Sequence, residues 1–309
     1  MILTVTTNPT IDRVYFVDDF KTGEVHRPEK FTKTAGGKGL NVARVGKILG
    51  ADTAAMGFAG GYSGEFIKKE VESFGIKSLF TQISGETRTC VNISDKNGKS
   101  GEILEPGPTI SNEEKESFNK LFSSIVGDYE IICVSGSLPR GLDSDFYKEL
   151  IRIAKEKGRK IIVDTSGKTL EDILDSKPYM VKPNKDELSK LMNKEVKSLD
   201  DVKTALDFLY EKGVEVPFIS LGKDGAAVLT DGKYYKFSTP SINVINTVGS
   251  GDSTIAGIAT GLDRKMDILD SIKLAMAAGT ANTQFEQTGF VTKELVEEFY
   301  KKITVEEFN

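Results

Sequence analysis

The feature that most constrains this chain is the alternation of short apolar, strand-like runs with amphipathic helical stretches. Strand-like runs stand at Ile2–Thr6, 54–58, Ile131–Ser135, Lys160–Asp164, 180–182 and 217–221. Between them, Phe118, Leu121, Phe122 and Ile125 repeat at i, i+3, i+4, i+7, as do Val202, Ala205, Leu206 and Leu209. That spacing is the stripe of a helix with one buried face. Strands covered on both faces read as continuous apolar runs, and parallel neighbours need a helical crossover. The pattern therefore predicts right-handed βαβ units: an α/β fold of three layers, with a mostly parallel sheet between helices. From about residue 240 the chain reads as mostly helical, with a helix starting near Gly251 and others over 267–284 and 292–301. Residues 304–309 suggest no element of their own.

Two stretches break the rhythm. Residues 12–34 and 87–105 are each strand-like and contain no helix, and Asn97-Gly98 is a strong hairpin-turn signal. Two such insertions can pair into a small sheet standing off the body, placed as a lid over the strand ends where open α/β folds bind ligands. Ordinary edge hairpins are the plainer alternative. A projecting sheet needs its outer face covered, which a second copy of the chain would do, giving a homodimer through the lid. The expectation is one domain over residues 1–309, with a β lid formed by about 12–34 and 87–105.

Composition removes several chemistries. His26 is the only histidine among 309 residues, which excludes Ser–His–Asp and Cys–His catalysis and any His-rich metal site. Acid–base work must fall to a carboxylate or a lysine. The net charge of −5, with both signs interspersed, gives no nucleic-acid surface. No apolar run approaches the ~20 residues that cross a bilayer. Met1 leads straight into a strand-like segment without room for a signal peptide. Cys90 and Cys133 lack metal or redox spacing and read as reduced core thiols, so a cytoplasmic protein is expected.

Within this frame, residues 248–258 read Val-Gly-Ser-Gly-Asp-Ser-Thr-Ile-Ala-Gly-Ile. Gly249, Ser250 and Gly251 form a turn whose N–H groups can converge at the positive end of a helix, an anion-binding concavity. Asp252 inside it has two readings. It can cap the helix, or it can take a proton from a hydroxyl that attacks a phosphoryl group. Residues 35–41, Ala-Gly-Gly-Lys-Gly-Leu-Asn, are no dinucleotide fingerprint, because Val42 stands where the third glycine belongs. They are no Walker loop either, because Gly39 follows Lys38. Lys38 and Asn41 beside exposed N–H groups suit a polyhydroxylated anion. Asn184 and Glu187 spell a capping box, yet hard oxygens one turn apart could also place a magnesium ion. The turn from Ser220 through Gly222 to Gly225 is compatible with nucleotide contact. Ser137 lies in a small polar loop after a strand. Arg88 begins a lid strand, where arginine is usually a solvated charge unless an anion lies beneath it.

Taken in order, Asn8-Pro9-Thr10-Ile11-Asp12, the 35–41 motif, Glu86-Thr87-Arg88, the 135–139 loop, Lys182-Pro183-Asn184 with Glu187, Ser220-Leu221-Gly222 and Gly249-Ser250-Gly251-Asp252 resemble the ribokinase-like sugar kinases, specifically the phosphofructokinase B branch. The resemblance runs from Met1 to about Gly289. It implies a ribokinase-like α/β/α domain that phosphorylates a ketohexose phosphate to a bisphosphate with ATP and Mg²⁺. Tagatose 6-phosphate is favoured as acceptor and fructose 1-phosphate is the alternative. A non-catalytic sugar-phosphate sensor of the same fold is the competitor from another class. The resemblance makes Asp252 the base, and Gly249, Ser250 and Gly251 the anion hole. It assigns sugar hydroxyls to Asp12, Gly37 and Asn41, and the existing phosphate to Lys38, Arg88 and Ser137, with Arg27 reaching in from the lid. Asn184 and Glu187 would organise Mg²⁺, with Asp164 nearby. Lys182, Asn184, Ser220, Gly222 and Gly225 would contact ATP, and Asn282 would stand on the adenine side.

Overall fold

The computed structural model describes residues 1–95 and 100–309. The chain opens with β1 (Ile2–Thr6), makes an excursion as β2 (Thr10–Val17) and β3 (Lys30–Gly36), and returns as α1 (Lys38–Ile48) and β4 (Thr53–Ala59). Helix α2 (Gly61–Ser73) and β5 (Lys77–Gln82) precede a second excursion, β6 (Arg88–Asp95) and β7 (Ser100–Leu104). Crossovers then lead through α3 (Asn112–Ile125) to β8 (Ile131–Ser135), and through α4 (Ser144–Glu156) to β9 (Lys160–Asp164). The next lead through α5 (Gly167–Ile173) to β10 (Met180–Val181), and through α6 (Lys185–Met192) with α7 (Leu199–Glu211) to β11 (Val216–Ser220). A hairpin of β12 (Ala226–Thr230) and β13 (Lys233–Ser238) follows, then α8 (Ser250–Asp263), α9 (Ile268–Asn282), α10 (Lys293–Lys302) and β14 (Thr304–Phe308).

Among the described residues, ten strands form one sheet in the order β14-β13-β12-β11-β10-β9-β8-β1-β4-β5. It is parallel from β5 to β11 and antiparallel beyond. Both faces are covered, as the apolar runs require. Phe118 and Phe122 of α3, Phe146 and Leu150 of α4, and Leu206 of α7 bury against one face. The Phe118 ring lies 4.7 Å from Phe58 and 5.2 Å from Phe146, an aromatic cluster that locks α3 and α4 to the strands. Val42 and Val45 of α1, Ile255 of α8, Ile272 of α9 and Phe299 of α10 cover the other face. The chain departs in opposite directions from the β1/β8 pair, and at such a switch point a crevice opens at the carboxyl ends of the strands.

The two excursions pair as a separate sheet in the order β3-β2-β6-β7, with β2 and β6 parallel. The expected Asn97-Gly98 turn lies outside the described residues. Strands β5, β12, β13 and β14 go beyond the sequence reading. The turn between β12 and β13 uses Asp231 and Gly232 at φ 50° and 73°, the positive-φ pair of a tight hairpin, so an Asp-Gly signal was present. The tail extends the sheet by pairing with β13, an element added to the mostly helical C-terminal region.

Candidate active site

The crevice is floored by the carboxyl ends of β1, β8, β9 and β10 and closed on one side by the mouth of α8. Gly249 caps α8 at φ +83°, and a Cβ there would stand 2.7 Å from the Gly289 nitrogen, so only glycine lets the turn pack so closely. A Cβ on Gly251 would stand 3.1 Å from Lys182 Nζ, so the bare glycine leaves that ammonium access to the loop. The Ser250 N–H is used locally by Thr247 at 3.2 Å. Those of Gly251 and Asp252 have no partner among the described residues, as the first turn of a helix dictates. They remain available to an anion.

A cavity of about 580 Å³ lies between this mouth and the small sheet. Its lining brings together Asp12, Gly37, Lys38, Asn41, Arg88, Ser137, Asp164, Lys182, Gly249, Gly251 and Asp252, residues drawn from seven segments of the chain. Asp252 is buried at 7% exposure and accepts a 2.8 Å hydrogen bond from Asn41 Nδ2. Burial, with Asp164 nearby, pushes its carboxyl up to about 6, against the Asn41 bond and the charges of Lys38 and Lys182. Burial likewise lifts Asp12 to about 6 against Arg88 and Arg44. Asp164 goes the other way. Burial opposes its ionisation, but Lys182 Nζ at 3.5 Å and Lys38 Nζ at 3.3 Å outweigh it and hold the carboxyl below its ordinary range. Arg88 donates to the Glu105 and Asn8 carbonyls at 2.9 and 3.0 Å, which fixes its guanidinium at the rim of the small sheet.

A second cavity of about 670 Å³ lies on the far side of the glycine turn. It is lined by Asn184, Ser220, Gly222, Gly225 and Ser250, together with apolar Phe218, Ile242, Val244 and Met276. Lys182 and Gly251 belong to both linings, so the two cavities meet at the turn.

Other expected site residues fall elsewhere. Asn184 and Glu187 form the capping box of α6, at 2.8 and 2.9 Å, and Glu187 lies outside both linings. Arg27 sits exposed between β2 and β3 and does not reach the cavity within one chain. Asn282 is fully buried and braces the glycine turn from behind. It donates to the Val248 carbonyl at 2.9 Å and accepts from Ser253 Oγ at 3.1 Å, so it does not face the second cavity. The sequence reading missed Arg13, Asn92 and Glu102, which enter the first cavity from the small sheet, and the buried Arg44 beneath Asn41. Period-2 alternation in the lid strands was the available signal for Asn92 and Glu102, whereas Arg13 breaks it as the neighbour of Asp12.

A profile of the pfkB family of carbohydrate kinases matches residues 4–294. The chain belongs to the pfkB family. It is a carbohydrate kinase, an enzyme that moves a phosphoryl group from ATP to a sugar hydroxyl. This kinase is 43% identical to a tagatose-6-phosphate kinase of Staphylococcus epidermidis over 308 residues, 99% of each chain. Its fold matches phosphofructokinase-2 of Escherichia coli solved with potassium, at TM-score 0.92 and 26% identity over 97% of this chain and 98% of the other. The tetrameric inhibited form of that enzyme matches at TM-score 0.90 and 26% identity, over the same 97% and 98%.

Proposed function

We propose that the cavity under the small sheet takes a ketohexose phosphate, tagatose 6-phosphate before fructose 1-phosphate, and that the kinase makes the 1,6-bisphosphate. The observation that carries this reading is Asp252: a buried carboxylate held by Asn41 at a helix mouth, in a cavity that also contains the cations Lys38 and Arg88. A phosphorylated sugar leaves one phosphate for those cations and turns its far primary hydroxyl to Asp252. Asp252 takes that proton as the oxygen attacks the γ-phosphorus of ATP lying in the second cavity. The free N–H groups of Gly251 and Asp252, with Lys182, receive the charge that develops on the transferred group. Donors placed in this way contribute about 3–4 kcal/mol each. The identity to a tagatose-6-phosphate kinase supports the choice of acceptor.

Magnesium bound with the nucleotide would neutralise phosphate charge. Among the described residues no three His, Cys, Asp or Glu side chains converge on one point. The hard oxygens of Asn184 and Glu187 at the α6 mouth retain lone pairs beyond the capping box, which fits an ion held through its water shell. Asp164 stands nearby, ion-paired with Lys38 and Lys182, and would reach the ion through its water shell. The small sheet acts as the lid, and its exposed Phe31, Ile103 and Leu104 favour pairing with a second copy. Free, buried Cys90 and Cys133 suit a reducing cytoplasm.

A coupled assay with tagatose 6-phosphate, fructose 1-phosphate, fructose 6-phosphate and fructose tests the reading. The highest kcat/KM is expected for tagatose 6-phosphate and the lowest for fructose. Comparable kcat/KM with unphosphorylated fructose would remove the phosphate clamp from the account.

A further inference from the structure

The Asn41 amide is held at both ends. Its Nδ2 donates to Asp252 Oδ2 over 2.8 Å, and its Oδ1 accepts from Arg44 Nη1 over 3.1 Å. A guanidinium only donates and a carboxylate only accepts, so these two partners leave the amide a single orientation. Arg44 sits three residues further along α1 and is 4% exposed. It also donates to the Ala35 carbonyl over 2.6 Å and to the Thr288 carbonyl over 3.2 Å. Its guanidinium lies 5.3 Å from the Phe74 ring. Ala35 belongs to β3, where that lid strand rejoins the body, and Thr288 precedes the Gly289 nitrogen that packs on Gly249. One buried side chain thus ties α1, the foot of the lid and the segment behind the glycine turn.

We infer that Arg44 is a positioning residue for phosphoryl transfer: acting through the Asn41 amide, it keeps a donor aimed at Asp252 and the carboxylate turned toward the cavity. This rests on the reading of Asp252 as the base. Without Arg44 the amide is free to turn over and present Oδ1 to the carboxylate, acceptor against acceptor, which disfavours the ionised base. The other groups facing Asp252 stay in place: Lys38 from α1, Asp164 from β9, Lys182 beyond β10 and Asp12 from β2.

The test measures kcat against pH, and KM for MgATP, in Arg44→Met, Asn41→Ala, the double variant and Asp252→Asn. Arg44→Met is expected to lower kcat about tenfold or more. Its acid limb should move up by about half a pH unit or more. KM for MgATP should stay within about twofold, and in the Asn41→Ala background Arg44→Met should change kcat by less than about twofold, since the pair acts as one unit. A wild-type kcat and acid limb in Arg44→Met overturns the inference. So does a full-size loss in the Asn41→Ala background. If circular dichroism shows that Arg44→Met does not fold, Arg44→Lys takes its place. It keeps the buried cation but lacks the fork that reaches three acceptors, so a fall in kcat is expected and wild-type kinetics overturn the inference. Asp252→Asn separates the two readings. Retained turnover there removes the base itself, whereas an inactive Asp252→Asn beside an unaffected Arg44→Met removes only the role of Arg44.

Discussion

The two cavities on either side of the glycine turn are similar in size, about 580 and 670 Å³, and unlike in their walls. The proposed sugar side is built from ionisable side chains, Asp12, Lys38, Arg88, Asp164 and Asp252, brought together from distant segments. The nucleotide side is built from turns and small or apolar residues, with Ile242, Val244 and Met276 beside Gly222, Gly225 and Gly279. On the proposed reading the first would discriminate by charge and by individual hydroxyls, at a desolvation cost that matches the raised carboxyls of Asp12 and Asp252. On the same reading the second would recognise shape and planar surface through many weak contacts. Substitutions on the two sides should differ in kind as well as in size.

The widest separation is expected at Asp252→Asn, which should lower kcat by about 10²–10⁴ while leaving the KM for MgATP near wild type. A loss smaller than about tenfold in a steady-state assay would take the base out of the sugar-side wall. Arg88→Ala should raise the KM for the sugar phosphate about 10–100-fold, the cost of a charged hydrogen bond. Ser220→Ala, its counterpart on the nucleotide side, should shift the KM for MgATP by no more than about threefold, a neutral hydrogen bond in a wall of many weak contacts. Equal effects from these two would erase the contrast.

A third measurement uses acidity. The base must be ionised to work, so kcat should rise with pH through about 6 and fall roughly tenfold per unit below that. A flat profile between pH 5 and 7 contradicts the assignment. The smallest effect is on stability. A carboxyl raised from 3.8 to about 6 binds its proton more tightly in the folded state. Its stabilising contribution is therefore complete below 3.8 and lost as pH rises through about 6. Removing the ionised group should raise the Tm of Asp252→Asn above wild type at pH 8 by a few degrees (roughly 2–4 °C per kcal/mol at this chain length). The gain should vanish by about pH 4.

The three-layer body was legible because strands buried on both faces and helices with one apolar stripe leave local signatures, as at Ile131–Ser135 and Val202–Leu209. The motif residues that meet at the turn were legible too, since glycine spacing and a neighbouring carboxylate carry chemistry in a few positions. What failed depended on distant contacts. Asn282 looks like any polar residue on a C-terminal helix until Val248 and Ser253 are folded against it. Arg44 drew no notice on α1, because nothing nearby in the sequence reveals that Thr288 lies across it. Asp164 gives no local sign of the ion pairs with Lys38 and Lys182 that reach it from distant segments. The tail strand β14 hid among charges, Thr-Val-Glu-Glu-Phe, as an edge strand can.

The register of the small sheet has a mechanical consequence. Thr10 stands opposite both Gly36 and Arg88, and Cys90 opposite Leu104, so every strand joins the rest of the chain along one rim. A panel hung in this way swings about a single line. Bending it across that line, or sliding one strand past another, would break the backbone ladder between β2 and β6. If the flap turned at all, it would turn as a rigid plate, and Arg88, at the end of β6 on that line, would keep nearly the same station throughout.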